Sequence, residues 1–268
     1  MNRLLSSVAV TAALVTALTA CGGDDSSGPD QATSGAGGGL DLISSGTLTV
    51  CSDVPYPPFE DFDTSAPSGF TGFDIDVIGD IAKGLDLKLA VKDSSFDALQ
   101  SGQSLNAKQC DVVASAMTIT DDRKKALDFS DGYYDSEQSL LVPEGSDITA
   151  IGDLAGKKVG VQQGTTGKSY TEENAPDADI VTFPSDAEMF QAIKAGQVDA
   201  LLQDLPVNLD HQKAGGFTVV ETYKTDEQYG FAIRKGNTAL VDAVDEQLKA
   251  LRDDGTYQTV YDSYFSTK

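Results

Sequence analysis

Arg123 lies in the segment whose residue types most clearly suggest a binding chemistry. It follows the threonines of SAMTITDDR, where a predicted strand ends and a helix of about two turns is predicted to begin. A guanidinium group holds a carboxylate through two parallel hydrogen bonds, and the N–H groups of a helix N-terminus favour the same charge. The alternative interpretation is a solvated arginine in the run DDRKK, and the segment alone does not decide between the two.

Two further segments carry polar groups where a predicted strand passes into a helix. The Gly-rich turn 162–167 presents backbone N–H groups at a helix start, but it lacks the GK[ST] sequence of a phosphate-binding P-loop. Asp204 ends the strand LLQD, directly before a helix that Pro206 can open. An N-cap is the common role of an aspartate in that position, and a ligand-facing role is compatible with it.

The residue types that the sequence lacks limit the possible chemistry. The one histidine, His211, lies in LDHQKAG, away from the other polar segments, and the sequence contains no CxxC pair. We therefore expect no zinc site and no histidine-dependent enzyme, and we predict no metal, no cofactor and no catalytic residue. An enzyme in which a Glu or Asp acts alone is left as an alternative.

Cys51 and Cys110 could form a disulfide, which is permitted outside the cytoplasm. The sequence favours two buried thiols instead. If the predicted strands 47–52 and 111–116 are parallel neighbours, the two cysteines lie near opposite ends of the pair. Their separation would then exceed the limit of about 7 Å for bridging.

The predicted elements alternate between strand and helix along the whole body of the chain. A strand at 47–52, a helix at 74–85 with Asp74 as its N-cap and a strand at 111–116 precede a second alternation that ends in an amphipathic helix at 238–253. This alternation predicts parallel sheets with helices on both faces, divided between two α/β lobes. Ligands of such folds bind beyond the carboxyl ends of the strands. The segments that leave those ends are DVPYPPFE, SAMTITDDR, QQGTTG and QDLPV, so a site between the lobes is expected.

The N-terminal residues indicate export and anchoring. Residues 1–20 combine Arg3 with an apolar run of small residues and are predicted to be a signal peptide. The run ends in LTAC, which is similar to a bacterial lipobox, so Cys21 is predicted to carry lipid. An ordinary signal peptide with a chance cysteine is the alternative. Residues 21–45 are predicted to form a flexible tether that holds the protein at the extracytoplasmic face of the cell membrane.

The charge of the chain argues against some partners. The sequence has 42 Asp and Glu residues against 19 Lys and Arg residues. Loss of Arg3 with the signal peptide would leave a formal charge of 18 − 42 = −24. We expect no nucleic-acid partner, because phosphate backbones need basic patches, whereas an acidic surface tolerates cationic small molecules.

Four segments, in this order, resemble the family 3 extracellular solute-binding proteins of polar amino-acid ABC importers. They are LTVCSDVPYPPFE, GFDIDVIGDIAKGL, MTITDDRKKALDFSDGYY and DGTYQTVYDSYF, and the second is similar to the family's signature pattern over its whole length. The resemblance implies an α/β, two-lobe, periplasmic-binding-protein-like Venus flytrap of type II. Lobe 1 would comprise residues 46–132 and 230–268 and lobe 2 residues 138–224, with hinge crossings near 133–137 and 225–229.

The resemblance also implies roles for residues around the expected site. Arg123 would hold the ligand carboxylate, with help from Ser115, Thr118 and the turn 162–167. Asp204 would pair with the ligand ammonium group. The full set of predicted binding residues is Asp53, Tyr56, Phe96, Ser115, Ala116, Thr118, Arg123, Gln162, Thr166, Gln203 and Asp204.

Recognition of the ligand side chain is expected at other members of this set. Tyr56 and Phe96 would sandwich the side chain, with core packing as the alternative for both aromatics. Asp53 matches an acid that binders of glutamine and of basic amino acids share, whereas Gln162 and Gln203 stand where some glutamine binders carry a Lys and a His. An acid at the end of the pocket repels a second carboxylate. Gln, Arg, Lys or His is therefore the expected ligand, rather than Glu or Asp.

The resemblance thus predicts a monomeric binding protein, not an enzyme. It would capture a free polar or basic amino acid and deliver it to the membrane permease of an ABC importer. A sensory receptor subunit and a dehydratase-like enzyme on the same fold are the alternatives.

Overall fold

A computed structural model describes residues 39–266. Cys21, the predicted signal peptide and most of the predicted tether lie outside the described residues. No helix between residues 39 and 266 is both long enough and apolar enough to cross a lipid bilayer. The described residues form two α/β lobes, each built on one five-stranded sheet.

The sheet of the first lobe has three parallel strands at one side. In spatial order, with strands numbered along the chain, it contains β4 (Lys88–Asp93), β1 (Thr47–Ser52), β5 (Val112–Val113), β12 (Ala232–Arg234) and β6 (Leu127–Phe129). β1 pairs in parallel with β4 and β5, whereas β12 pairs antiparallel with β5 and β6. A short hairpin of β2 (Asp61–Phe62) and β3 (Phe70–Thr71) lies between β1 and β4 in the chain.

The sheet of the second lobe is also mixed. In spatial order it contains β11 (Phe217–Tyr229), β7 (Tyr134–Pro143), β10 (Ala200–Asp204), β8 (Lys158–Gln162) and β9 (Asp179–Phe183). β8 pairs in parallel with β9 and β10, whereas β7 is antiparallel to β10 and to β11. The prediction of purely parallel sheets is therefore wrong. The chain enters this lobe along β7 and leaves it along the neighbouring β11, so these two strands run in opposite directions.

Helices cover the sheets. Within the described residues they are α1 (Phe73–Gly84), α2 (Phe96–Gln100), α3 (Gln103–Asn106), α4 (Thr166–Asn174), α5 (Asp186–Lys194), α6 (Leu205–Lys213), α7 (Thr238–Asp253) and α8 (Thr256–Phe265). α7 buries Leu240, Val244 and Leu248, which lie four residues apart on one face. That face packs on the core of the first lobe.

Two local predictions for the first lobe are wrong. The helix predicted after Thr120 is only a 3-10 turn, Arg123–Lys125. β6 begins at Leu127, whose side chain is fully buried, so the chain must become extended before a second helical turn can form. Asp74 is not the N-cap of α1, because Gly72 holds that position. The Asp74 carboxyl is instead fully buried.

Cys51 and Cys110 form a disulfide with their Cα atoms 5.7 Å apart, so the prediction of two free thiols is wrong. That prediction placed Cys110 at the edge of an extended strand, but β5 begins only at Val112. Cys110 instead comes shortly after α3 and shares with Cys51 an apolar cluster that includes Leu99 and Leu105. The chain therefore reaches β5 from the face of the sheet to which Cys51 points.

The core of the second lobe follows strand alternation. Leu140, Val142 and Leu202 pack on one face of its sheet, and Leu141 and Leu201 pack on the other. Burying a side chain of this size contributes about 1.5–3 kcal/mol. The predicted lobe boundaries and hinge crossings stay predictions, because they concern relative motion.

Candidate functional site

A cavity lies between residues of the two lobes, and the centre of a water-sized molecule can occupy about 20 Å³ of it. That is room for about one water molecule, so the two lobes are closed on each other around the site. The first lobe contributes residues that follow β1, β4 and β5, and the second contributes residues at or after the ends of β8 and β10. The lining residues are Asp53, Tyr56, Phe96, Ser115, Ala116, Thr118, Arg123, Gln162, Thr165, Thr166 and Asp204.

Ten of the predicted binding residues line this cavity, and Gln203 does not. Gln203 precedes Asp204 in β10, and successive strand residues point to opposite sides. Its Nε2 donates to Asp186 Oδ1 at 2.9 Å and to Asn208 Oδ1 at 3.0 Å. His211 Nε2 lies 2.9 Å from the same Asp186 oxygen. Gln203 and the histidine therefore belong to a buried network in the second lobe.

Arg123 is buried and connects the two lobes. Its Nη1 donates to the Thr118 carbonyl at 2.7 Å and its Nη2 to the Gly164 carbonyl at 2.9 Å. The guanidinium carbon lies 5.2 Å from the centre of the Phe96 ring, within the range of a cation–π contact. Burial lowers the pKa of Arg123 to about 10, against the opposing effect of the Asp204 and Glu227 charges. The group stays cationic at neutral pH, so the interpretation as a solvated arginine is wrong.

Asp204 is buried and holds its carboxylate with neutral donors. Oδ1 accepts from Gln138 Nε2 at 2.6 Å, and Oδ2 accepts from the hydroxyls of Tyr56 at 3.0 Å and Tyr229 at 2.5 Å. Burial raises the pKa of Asp204 to about 7, the nearby Glu227 adds to the rise, and these hydrogen bonds oppose it. Asp204 occupies the N-cap position of α6, but its side chain makes no capping hydrogen bond. The carboxylate is thus oriented into the cavity rather than onto the helix.

Asp53 is the acid at another wall of the cavity. Its Oδ2 accepts from Gln162 Nε2 at 2.6 Å, a direct contact between the lobes, and its backbone N–H donates to Ser115 Oγ at 3.0 Å. Burial raises the pKa of Asp53 to about 7, and the hydrogen bond from Gln162 opposes the rise. No Lys, Arg or His within residues 39–266 forms an ion pair with Asp53 or Asp204.

Two acids behind the cavity wall hold it in place. Ser115 Oγ donates to Glu60 Oε1 at 2.6 Å. Asp74 Oδ2 accepts from the Ala116 N–H at 2.7 Å and from the Tyr133 hydroxyl at 2.6 Å. Ala116 has a φ of 44°, a conformation that costs energy for a residue with a Cβ. Burial raises the pKa of Glu60 and raises that of Asp74 to about 7. Asp74 is therefore a support of the site.

Tyr56 and Phe96 both line the cavity and pack in the core. Tyr56 belongs to the core cluster of the first lobe and stacks on Phe59, with ring centres 6.4 Å apart. Phe96 belongs to the cluster that contains the disulfide. Core packing and a place in the wall of the binding cavity, the two interpretations that the sequence offered for these aromatics, are thus compatible.

Gln138, Glu227 and Tyr229 bond to groups that line the cavity and were not among the predicted binding residues. Thr165 lines the cavity and was predicted only as a member of the turn 162–167. Gln138 could have been found from topology, because it pairs with Asp204 across β7 and β10. Glu227 carries no such signal, since it belongs to a long edge strand of alternating polar residues. In the part of the chain that the structure describes, no group of three or more His, Cys, Asp or Glu residues is placed to hold a metal ion.

Comparison with known proteins identifies close relatives of this fold. The L-cystine-binding protein TcyJ of Escherichia coli K12 is 34% identical over 225 residues, which cover 82% of this chain and 83% of TcyJ. The ABC transporter glutamine-binding protein GlnH of Bacillus subtilis 168 is 38% identical over 197 residues, which cover 71% of each chain.

Solved structures agree with these matches. Those of an ancestral arginine-binding protein bound to glutamine and bound to arginine each align with a TM-score of 0.78 at 38% identity. The alignments cover 84% and 82% of this chain and 100% and 99% of the ancestral chain. The family model of bacterial extracellular solute-binding proteins, family 3, matches residues 48–267. This two-lobe α/β chain belongs to the family 3 bacterial extracellular solute-binding proteins.

Proposed function

We propose that this protein is the extracytoplasmic substrate-binding subunit of an ABC importer and that it captures a free amino acid with a cationic or amide side chain. The observation that carries the proposal is one buried cation, Arg123, and two buried acids, Asp204 and Asp53, on the walls of a single cavity. The relatives named above are binding proteins for cystine, glutamine or arginine, which supports an amino-acid ligand and binding rather than catalysis.

The α-carboxylate and the α-ammonium group, which all amino acids share, contact Arg123 and Asp204. Arg123 spends two of its five N–H donors on backbone carbonyls, so donors remain for the α-carboxylate. Asp204 has neutral donors only, and the α-ammonium group would supply the missing cation. Both contacts form in a desolvated cavity, where a charged partner is worth more than in water.

The side chain of the ligand meets Asp53. When both acids are ionised, Arg123, Asp204 and Asp53 together carry one excess negative charge, which a zwitterion with a cationic side chain cancels. An amide side chain can instead donate a hydrogen bond to Asp53. A carboxylate side chain adds a like charge to a buried acid, so Glu and Asp should bind much more weakly.

The proposal extends to the whole protein. Because the cavity is built from both lobes, ligand binding stabilises the closed arrangement, with hinge crossings near 133–137 and 225–229. The chain works as a monomer, delivers its ligand to the permease of the importer and is anchored to the cell membrane through a lipid on Cys21.

Ligand screening and one arginine variant test the proposal. A thermal-shift screen of the twenty amino acids on the purified protein should single out Arg, Lys, His or Gln, and calorimetry gives the affinity. Arg123→Ala should lower the affinity for every accepted amino acid by about 30-fold or more, because a buried ligand charge without its partner costs at least about 2 kcal/mol. Arg234→Ala is the matched control, since Arg234 pairs with Asp41 outside the cavity. No amino acid that shifts the melting curve, or Arg123→Ala binding within twofold of wild type, would overturn the proposal.

A further inference from the structure

Glu227 is a carboxylate beside the cavity to which the proposed function assigns no role. Its Oε2 accepts from Thr118 Oγ1 at 2.7 Å and from Thr166 Oγ1 at 2.7 Å, and its Oε1 accepts from Gln138 Nε2 at 3.0 Å. Thr118 belongs to the first lobe, whereas Thr166 begins α4 in the second lobe. Both threonines line the cavity.

The direction of these hydrogen bonds follows from the groups involved. A carboxylate has no proton to give, so each threonine hydroxyl must be the donor. A hydroxyl has one proton, and both protons are committed to Glu227. The oxygens of Thr118 and Thr166, which lie 3.5 Å apart, therefore have only lone pairs left for a molecule in the cavity. Such oxygens can accept a hydrogen bond from an ammonium group but cannot donate one to a carboxylate.

Gln138 links this arrangement to Asp204. Its side-chain nitrogen donates to Asp204 Oδ1 at 2.6 Å and to Glu227 Oε1 at 3.0 Å, and Thr166 Oγ1 is a more distant third acceptor at 3.4 Å. The two shorter contacts give each of the two amide hydrogens an acid as acceptor. Asp204 and the two hydroxyl oxygens are acceptors that line this end of the cavity, and Glu227 lies behind the hydroxyls. The charge of the Arg123 guanidinium interacts with the charges of both Asp204 and Glu227. When both acids are ionised, this end of the cavity has one more negative than positive charge before a ligand arrives.

We infer that Glu227 is a positioning residue that fixes the hydroxyls of Thr118 and Thr166 as acceptors and thereby makes this end of the cavity select for a protonated α-amino group. The inference rests on the proposed function, because it concerns how an amino acid is told apart from the corresponding hydroxy acid. It also changes the role expected for Thr118: its hydroxyl faces the ammonium group, and the carboxylate is left to Arg123 and backbone N–H groups.

The simpler role for Glu227 is a latch that holds the two lobes together through one hydroxyl from each. A latch and a positioning residue differ in what they do to selectivity. Loss of a latch weakens every ligand by the same factor, because closure is common to all of them. Loss of a positioning residue weakens ligands that carry an ammonium group and spares those that do not.

The test compares L-arginine with L-argininic acid, in which a hydroxyl replaces the α-amino group. Calorimetry on wild type should give at least about 100-fold tighter binding of L-arginine, because an unpaired buried acceptor wall penalises the hydroxy acid. Glu227→Gln replaces one acceptor oxygen by an N–H₂ donor, which turns a threonine hydroxyl towards the cavity as a donor. The affinity ratio should fall by about tenfold or more, mainly through weaker binding of L-arginine.

Two further variants keep the test decisive. Glu221→Gln changes the same residue type in the same strand, where the carboxylate bonds to the Ile151 N–H and the Tyr223 hydroxyl, and it should leave the ratio at the wild-type value. Thr166→Val removes one of the two hydroxyls without altering Glu227 and should lower the ratio in the same direction, even if Glu227→Gln does not fold.

The possible results distinguish failure of the role inferred for Glu227 from failure of the proposed amino-acid-binding function. An unchanged ratio in both Glu227→Gln and Thr166→Val, with or without an equal loss for the two ligands, overturns the role of Glu227 and leaves the proposed function standing. Failure of the wild-type protein to bind any amino acid overturns the proposed function and this inference together.

Discussion

Replacement of Asp53 by Asn should weaken the binding of L-arginine far more than that of L-glutamine. Asp53 is 9% exposed, and Gln162 is the residue that donates a side-chain hydrogen bond to its carboxylate. The substitution keeps the shape of the side chain and removes its charge. A guanidinium group would then sit in a desolvated cavity without a counter-charge, whereas an amide would only exchange one neutral hydrogen-bond partner for another.

The magnitude follows from these two situations. Leaving a buried ligand charge without its partner costs about 2–5 kcal/mol, or about 30- to 5,000-fold in dissociation constant. Changing a neutral hydrogen bond costs about 0.5–1.5 kcal/mol, or about two- to twelvefold. The preference for L-arginine over L-glutamine should therefore fall in Asp53→Asn, by about 2.5-fold at the least and by up to about 2,500-fold.

Calorimetric titration of both variants with both ligands gives the ratio directly. Asp242→Asn is the control, because Asp242 is an exposed acid on α7 that loses the same charge without lining the cavity. The reasoning would be refuted if Asp53→Asn weakened the two ligands equally, since Asp53 would then only support the fold. A wild-type preference for L-glutamate would refute it as well.

Three other expectations concern pH, the disulfide and the anchor. Affinity for L-glutamine should fall as the pH drops below about 7, by up to about tenfold per pH unit. The reason is that the pKa of Asp204 is raised to about 7 and the carboxyl must be ionised to pair with the ammonium group of the ligand. Equal affinities in titrations at pH 8 and pH 6 would exclude this. The double variant Cys51→Ala and Cys110→Ala should lose about 4 kcal/mol of unfolding free energy in urea, because the disulfide closes a loop with a sequence separation of 59. An unchanged midpoint of unfolding would contradict this expectation. Cys21→Ser should abolish fractionation with membranes, and an unchanged mass and membrane content would disprove lipidation.

Helices and strands whose buried residues repeat at one regular spacing could be predicted from the sequence. The predicted helix at 238–253 has the same bounds as α7, because its buried leucines and valine repeat at helical spacing. The segments after the strand ends also meet as expected, which is why ten predicted residues line one cavity. Both results depend on local pattern and on the rule that ligands bind beyond strand ends.

The errors arise where tertiary contacts decide. Asp74 resembles an N-cap in the sequence, but its carboxyl is drawn inward by the Ala116 N–H and the Tyr133 hydroxyl. Cys110 meets Cys51 because the chain approaches the sheet over its face, and strand spacing alone cannot reveal that path. The contacts of Asp74 and of the two cysteines have no short-range sequence signal. The error at Gln203 was avoidable, because strand alternation places it on the side opposite to Asp204, where it bonds to Asp186 and Asn208.

A crystal structure of the protein with L-arginine is the most direct test of the central claim that one cavity grips both ends of a free amino acid. We expect the ligand between the two lobes, with its α-carboxylate on the Arg123 guanidinium, its α-ammonium group on Asp204 and its side chain directed to Asp53. A ligand bound outside this cavity, or one that places its carboxylate away from Arg123, would contradict the claim.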